Sequence, residues 1–151
     1  MRDGFVKVAA ATLNTKVADV EHNKWEIFRL IDETIENGAK IVVFPELCIT
    51  GYTCGDLFSQ DILLSQSAKA LEEIAAYTTG KDGLFFVGLP YVVCNKLYNV
   101  AAAVCDGEVI GMVTKTFLPN YSEFYEMRQF QPGPKKADWI PYGEEELSLI
   151  H

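Results

Sequence analysis

Between Phe5 and Phe44 the chain reads as strand, helix, strand, an order that leaves few folds open. Phe5 to Leu13 alternates, with Val6, Val8 and Ala10 on one face, and its uniformly apolar character predicts a strand buried on both sides inside a sheet. From Asp19 to Asn37 the apolar residues Val20, Ile27, Ile31 and Ile35 recur at helical spacing. Asp19 is placed to cap the start of this helix and Gly38 to end it. Ile41 to Phe44 is then a second, β-branched strand. A helix between two strands gives parallel neighbours through a right-handed crossover, so an α/β sheet is expected.

The alternation continues. Cys48 to Gln60 has no sustained period and contains Gly51 and Gly55, which predicts a loop with a short helix around Leu57. Leu64, Ala68, Leu71 and Ala75 mark a second amphipathic helix closed by Gly80, and Leu84 to Leu89 is a third buried strand. After Pro90, Leu97 to Cys105 and Glu108 to Thr116 flank Asp106-Gly107, a dipeptide suited to a type I′ hairpin, and predict an antiparallel edge to the sheet. Phe117 to Phe130 mixes aromatic and acidic residues and reads as a pocket-lining loop, and Gln131-Pro132-Gly133-Pro134 reads as a strong turn. Leu147 to Ile150 opens an apolar segment that the sequence cuts short. With no repeat and no linker, residues 1–151 are expected to form one domain, incomplete at its last strand.

Composition narrows the function. The chain is 49% hydrophobic and 23% charged, which predicts a globular core. A net charge of −8 leaves no basic patch for nucleic acid, so a small molecule or a protein is the expected partner. No apolar run approaches the roughly 18 to 20 residues of a membrane span and no signal peptide is evident, so a cytoplasmic location is expected. Cys48, Cys54, Cys94 and Cys105 form no Cys-x-x-Cys pair and lie far from His22 and His151, which argues against a metal site. All four read as small, partly buried hydrophobes in a reducing compartment, and His22 as lying on the polar side of its helix.

The chemistry is concentrated at two strand ends. Ile41-Val42-Val43-Phe44-Pro45-Glu46 is an apolar run that ends in proline and then presents a carboxylate at the mouth of a loop. Lys115 lies near the end of the strand Glu108 to Thr116. Such a pair suits amide chemistry if a thiol joins it, but all four cysteines precede Lys115. On residue type alone, Glu46 is equally a helix-capping or solvated carboxylate and Lys115 an edge-strand surface lysine. Tyr52 and Tyr121 are then core aromatics with a polar tip, and Glu126 part of a solvated acidic loop.

Taken together, Phe44-Pro45-Glu46-Leu47-x-x-Thr50-Gly51-Tyr52 and Thr114-Lys115-Thr116-Phe117-Leu118-Pro119-Asn120-Tyr121 resemble the nitrilase, or carbon-nitrogen hydrolase, superfamily over nearly the whole chain. More narrowly, Glu46-Leu47-Cys48-Ile49-Thr50-Gly51-Tyr52-x-Cys54-Gly55-Asp56-Leu57-Phe58 and Leu118-Pro119-Asn120-Tyr121-Ser122-Glu123-Phe124-Tyr125-Glu126 resemble the N-terminal glutaminase domains of bacterial glutamine-dependent NAD synthetases. The resemblance implies a four-layer α-β-β-α sandwich with a mixed sheet, of which only the N-terminal part is present. It also implies a Glu-Lys-Cys triad, with Glu46 as base and Lys115 as oxyanion stabiliser. The cysteine, expected in a Cys-Glu-Asp setting after the lysine, falls outside this sequence, so the chain alone is expected to be inactive.

A thiol with a pKa of about 8.5 needs a base to become a nucleophile, and a carboxylate serves when desolvation raises its pKa, as the apolar approach to Glu46 suggests. Tyr121 is implied to bind substrate and Tyr52 less directly. Of the two glutamates after the lysine, Glu123 has the better spacing to be the second site glutamate, with Glu126 as the other candidate. L-glutamine is the implied substrate and the domain itself needs no cofactor. No glycine-rich phosphate loop appears, so ATP and magnesium belong to a synthetase domain outside this chain. Two other readings stand beside this one. The first is another nitrilase-family amidase or carbamoylase. The second is an inactive half-domain acting as a binding or assembly module, for which exposed sheet surface predicts homo-oligomers.

Overall fold

The computed structural model describes residues 4–134, 136, 138–142 and 145–150. The element order is β1 (Val8–Ala10), α1 (Val20–Glu36), β2 (Ile41–Val43), a 3-10 turn (Gly55–Ser59), α2 (Asp61–Tyr77), β3 (Leu84–Val93), β4 (Lys96–Cys105), β5 (Glu108–Thr114), α3 (Glu126–Gln129), β6 (Asp138–Tyr142) and β7 (Glu145–Ile150). Among the described residues the strands form one mixed sheet in the order β1-β2-β3-β4-β5-β7-β6. β1, β2 and β3 are parallel, β3-β4-β5 is an antiparallel meander, and β7 returns parallel to β5.

Local chemistry sets the helix limits. The Asp19 carboxylate accepts the His22 N–H at 3.0 Å and caps α1, and Gly38, at φ +83°, takes the left-handed turn that ends it. α1 and α2 lie side by side on one face of the sheet. Ile27, Ile31, Leu71 and Ile74 are fully buried there against Val42, Phe85, Val87, Ala102 and Met112. Each such side chain contributes about 2 kcal/mol of burial. Phe28 stacks on Tyr77 with ring centroids 4.0 Å apart, and the buried Lys24 ammonium joins Glu21 of α1 to Glu73 of α2. Among the described residues no helix is long and apolar enough to cross a membrane.

The opposite face carries Val8, Ala10, Ile41, Val43, Phe86, Ala101, Ala103 and Val113, and no described element covers it. One helix layer and one sheet layer are thus present, the α-β half of an α-β-β-α arrangement. This open face corrects the expectation for β1. Among the described residues that strand lies at the sheet edge, pairs only with β2, and leaves Val8 65% exposed because the helices cover only one side. The meander is not an edge either, because β7 pairs outside β5.

β3 continues through Pro90 to Val93. The Phe86 and Gly88 carbonyls face the β2 side, bonding Phe44 N and Ile49 N. By the two-residue period Pro90 presents its missing N–H to that same side, beyond the end of β2, so no ladder bond is lost. Two type I′-like turns close the meander, at Cys94-Asn95 (φ 48° and 59°) and at Asp106-Gly107 (φ 46° and 91°). The residues 131–134 are not a turn: the chain runs on, with Gln131 N donating to Leu97 O at 2.8 Å and Gly133 N to Lys115 O at 3.0 Å. The 131–134 segment crosses the ends of β4 and β5.

Candidate active site

Glu46 follows β2 in a tight turn folded over the open face. Leu47 takes φ +51°, and its N–H region packs so close to β3 that a Cβ on Gly88 would stand 2.6 Å from Leu47 N and Pro45 O. Only glycine at position 88 allows the turn to sit there. Lys115 follows β5, its backbone N–H still bonded to Asn99 O at 2.8 Å. β2 and β5 stand apart in the sheet with β3 and β4 between them, but the turn after β2 carries Glu46 across β3 and so brings together residues 69 apart in sequence: Lys115 Nζ donates to Glu46 Oε1 at 2.8 Å.

The lysine is shared. Lys115 Nζ also donates to Glu126 Oε1 at 2.8 Å, and that oxygen accepts the Tyr52 hydroxyl at 2.6 Å. Glu126 is 5% exposed, and among the described residues its Oε2 has no partner. Burial acts to lower the Lys115 pKa, but the hydrogen bonds to Glu126 and Glu46 outweigh it and hold the ammonium above the ordinary lysine value. Lys115 is therefore a fixed positive charge. Burial, then the Glu126 carboxylate, push the Tyr52 phenol up, so it stays a proton donor in its hydrogen bond.

Two hollows meet at this cluster. One of about 300 Å³ opens on the bare sheet face over Val43, Phe86, Gly88 and Ala101, with Glu46, Asn99 and Lys115 at its polar end. The other, of about 320 Å³, is bounded by Tyr52, Asp56, Phe58, Glu123, Tyr125, Glu126, Arg128 and Phe130. The segment from Phe117 to Phe130 therefore does line a pocket.

Four of the sequence-predicted residues converge: Glu46, Lys115, Tyr52 and Glu126. The other two do not join them. Glu123 is exposed on the rim of the second hollow, because Phe124 N bonds Tyr121 O and Glu126 N bonds Pro119 O, a fold-back that returns position 126 to the lysine. Tyr121 is 68% exposed and rests edge-on against Phe124, with centroids 5.6 Å apart. The Glu46 side chain is 40% exposed, not desolvated as expected, because the apolar approach ends at Phe44 and nothing described closes over the sheet.

Sequence reasoning missed Asn99, whose side-chain amide donates to Glu46 Oε1. The available signal was a lone amide inside the apolar run Leu97 to Val104. No cysteine borders the hollow beside Glu46 and Lys115. Cys48 is buried with its thiol on Gly88 O and pushed up to about 12 by burial, and Cys54 is raised by the same cause. Neither ionises readily. Cys94, expected to be partly buried, is exposed in its hairpin turn. His22 is half-buried, with Nε2 3.0 Å from Asn14 O.

Residues 7–145 match the carbon-nitrogen hydrolase family. The chain is 43% identical over 129 residues to a glutamine-dependent NAD(+) synthetase of Aquifex aeolicus, covering 85% of this chain and 22% of that protein. Against the Mycobacterium tuberculosis glutamine-dependent NAD(+) synthetase it is 34% identical over 146 residues, with coverage of 97% and 22%. The chain thus spans about a fifth of the length of these curated relatives. A crystal structure of a glutamine-dependent NAD(+) synthetase from Cytophaga hutchinsonii superposes with a TM-score of 0.91 at 32% identity, covering 96% of this chain and 25% of that one. An amidase from Nesterenkonia sp. shares the fold at a TM-score of 0.75 and 22% identity, over 99% of this chain and 56% of the amidase.

Proposed function

Since this chain belongs to the carbon-nitrogen hydrolase family, we propose that it supplies the base and the oxyanion stabiliser of a glutaminase that provides ammonia for ATP-dependent NAD synthesis. The observation that carries this reading is the Glu46–Lys115 pair at 2.8 Å, set by two strand ends on the open face of the sheet. The nucleophile is assigned to a cysteine outside these 151 residues, arriving over the same face. The relatives, about four to five times longer, support that assignment.

In this mechanism Glu46 takes the thiol proton, and the thiolate sulfur attacks the carboxamide carbon of L-glutamine. The C=O pair moves to oxygen, where the Lys115 ammonium stabilises the growing negative charge. As the tetrahedral adduct collapses, the C–N bond breaks and Glu46 returns its proton to the leaving nitrogen, releasing ammonia. Water, deprotonated by Glu46, then cleaves the thioester to give glutamate and restore the thiol. Glu126, together with Tyr52, holds the Lys115 ammonium in place beside Glu46. These residues contain no phosphate loop, so ATP and magnesium are assigned to the synthetase part of the longer protein.

The test is ammonia release from L-glutamine by the protein as its gene encodes it. The Glu46→Gln variant should lose at least about 100-fold in kcat, as loss of a general base does, while NAD synthesis from added ammonium persists. Wild-type turnover of other amides but not of glutamine would move the reading to another amidase. Turnover of no amide would favour a binding module.

A further inference from the structure

We infer that Asn99 is a positioning residue for Glu46, holding one carboxylate oxygen so that the other remains free to receive a proton. The inference rests on the hydrolase reading above, because it assigns Glu46 its working orientation. Asn99 is 3% exposed in β4, between Tyr98 and the apolar run Val100 to Val104. A buried amide without partners is destabilising, so its bonds explain its presence. Its Nδ2 donates to Glu46 Oε1, the same oxygen that accepts Lys115 Nζ at 2.8 Å. Its backbone carbonyl accepts the Lys115 N–H at 2.8 Å.

One residue is therefore bonded to both members of the pair, to the lysine through its backbone and to the glutamate through its side chain. The consequence is geometric. The terminal torsion of glutamate is broad and selects no orientation by itself. Two donors fixed to the β4 and β5 ends converge on Oε1, and Oε2 is left without a partner among the described residues. Oε2 is then the basic oxygen, turned away from the strands that hold Oε1. Asn99 lies in the floor of the hollow below Glu46 and acts through that carboxylate.

The experiment uses the gene-encoded protein with Asn99→Leu, which removes both polar atoms, and Asn99→Asp, which keeps the shape but replaces the donor by a second carboxylate facing Glu46. Both should lower kcat for ammonia release by about 10- to 100-fold, the usual effect of a misplaced catalytic group, with KM for glutamine within about twofold. The aspartate variant should be the worse of the two. A 13C-carboxyl label should show the Glu46 resonance, identified by its loss in Glu46→Gln, moved in both variants. Unchanged kcat or an unmoved Glu46 resonance in the Asp variant overturns the inference, as does a fall in kcat matched by an equal rise in KM. A moved Glu46 resonance in a protein that never hydrolyses glutamine would overturn the glutaminase reading and leave the Asn99–Glu46 coupling standing.

Discussion

Position 126 reaches the lysine although position 123 stands closer to it along the chain, and the two glutamates make a direct comparison at the scale of single residues. Glu126→Gln removes a buried charge from Lys115 and leaves an amide beside the Tyr52 hydroxyl. In the gene-encoded protein it should lower kcat by about 100-fold, comparable to losing one stabilising donor at a developing charge. Glu123→Gln, on the exposed rim, should stay within about twofold. Equal effects in a glutaminase assay would remove the distinction. Spacing could not have chosen between them, because the choice depends on how the 117–125 segment folds back. Asn99 was more legible: an amide in the middle of an apolar strand has to be satisfied by something.

Among the elements, the opening strand-helix-strand unit and both helix caps were readable because each depends on neighbours a few residues apart. What escaped was set from further away. The apolar character of β1 correctly signals residues that need cover, but it does not say whether these residues provide it. The Cys94-Asn95 turn carries no glycine to announce it, and Gln131 to Pro134, rich in turn formers, is held extended by bonds to Leu97 and Lys115. The turn that carries Glu46 depends on an absence of side chain at Gly88, which the sequence shows only as one glycine in a strand. Gly88→Ala should force backbone apart, destabilise the fold by about 1–3 kcal/mol and reduce glutamine turnover together. An unchanged melting temperature would show that the turn yields without cost.

At the scale of the whole molecule the sheet has two unlike faces. α1 and α2 cover one, and the other leaves Val43 48% and Val113 40% exposed with Phe86 and Ala101 between them, and Val8 65% exposed at the β1 edge. Contiguous apolar surface of this kind drives association in water. These 151 residues prepared alone should therefore sediment as oligomers, and Val43→Lys with Val113→Lys should return them to monomers without loss of helical content. A monomeric unsubstituted chain would sink that expectation. The resemblance anticipated two sheets face to face, and the bare face is where the second belongs. The same face also carries Glu46, Asn99 and Lys115 at its rim. If the covering layer brings the nucleophile, as proposed, hydrophobic burial and ignition of the chemistry become a single event. An immature protein then could not waste glutamine: the fold works as an interlock, releasing ammonia only after the structure around it has shut.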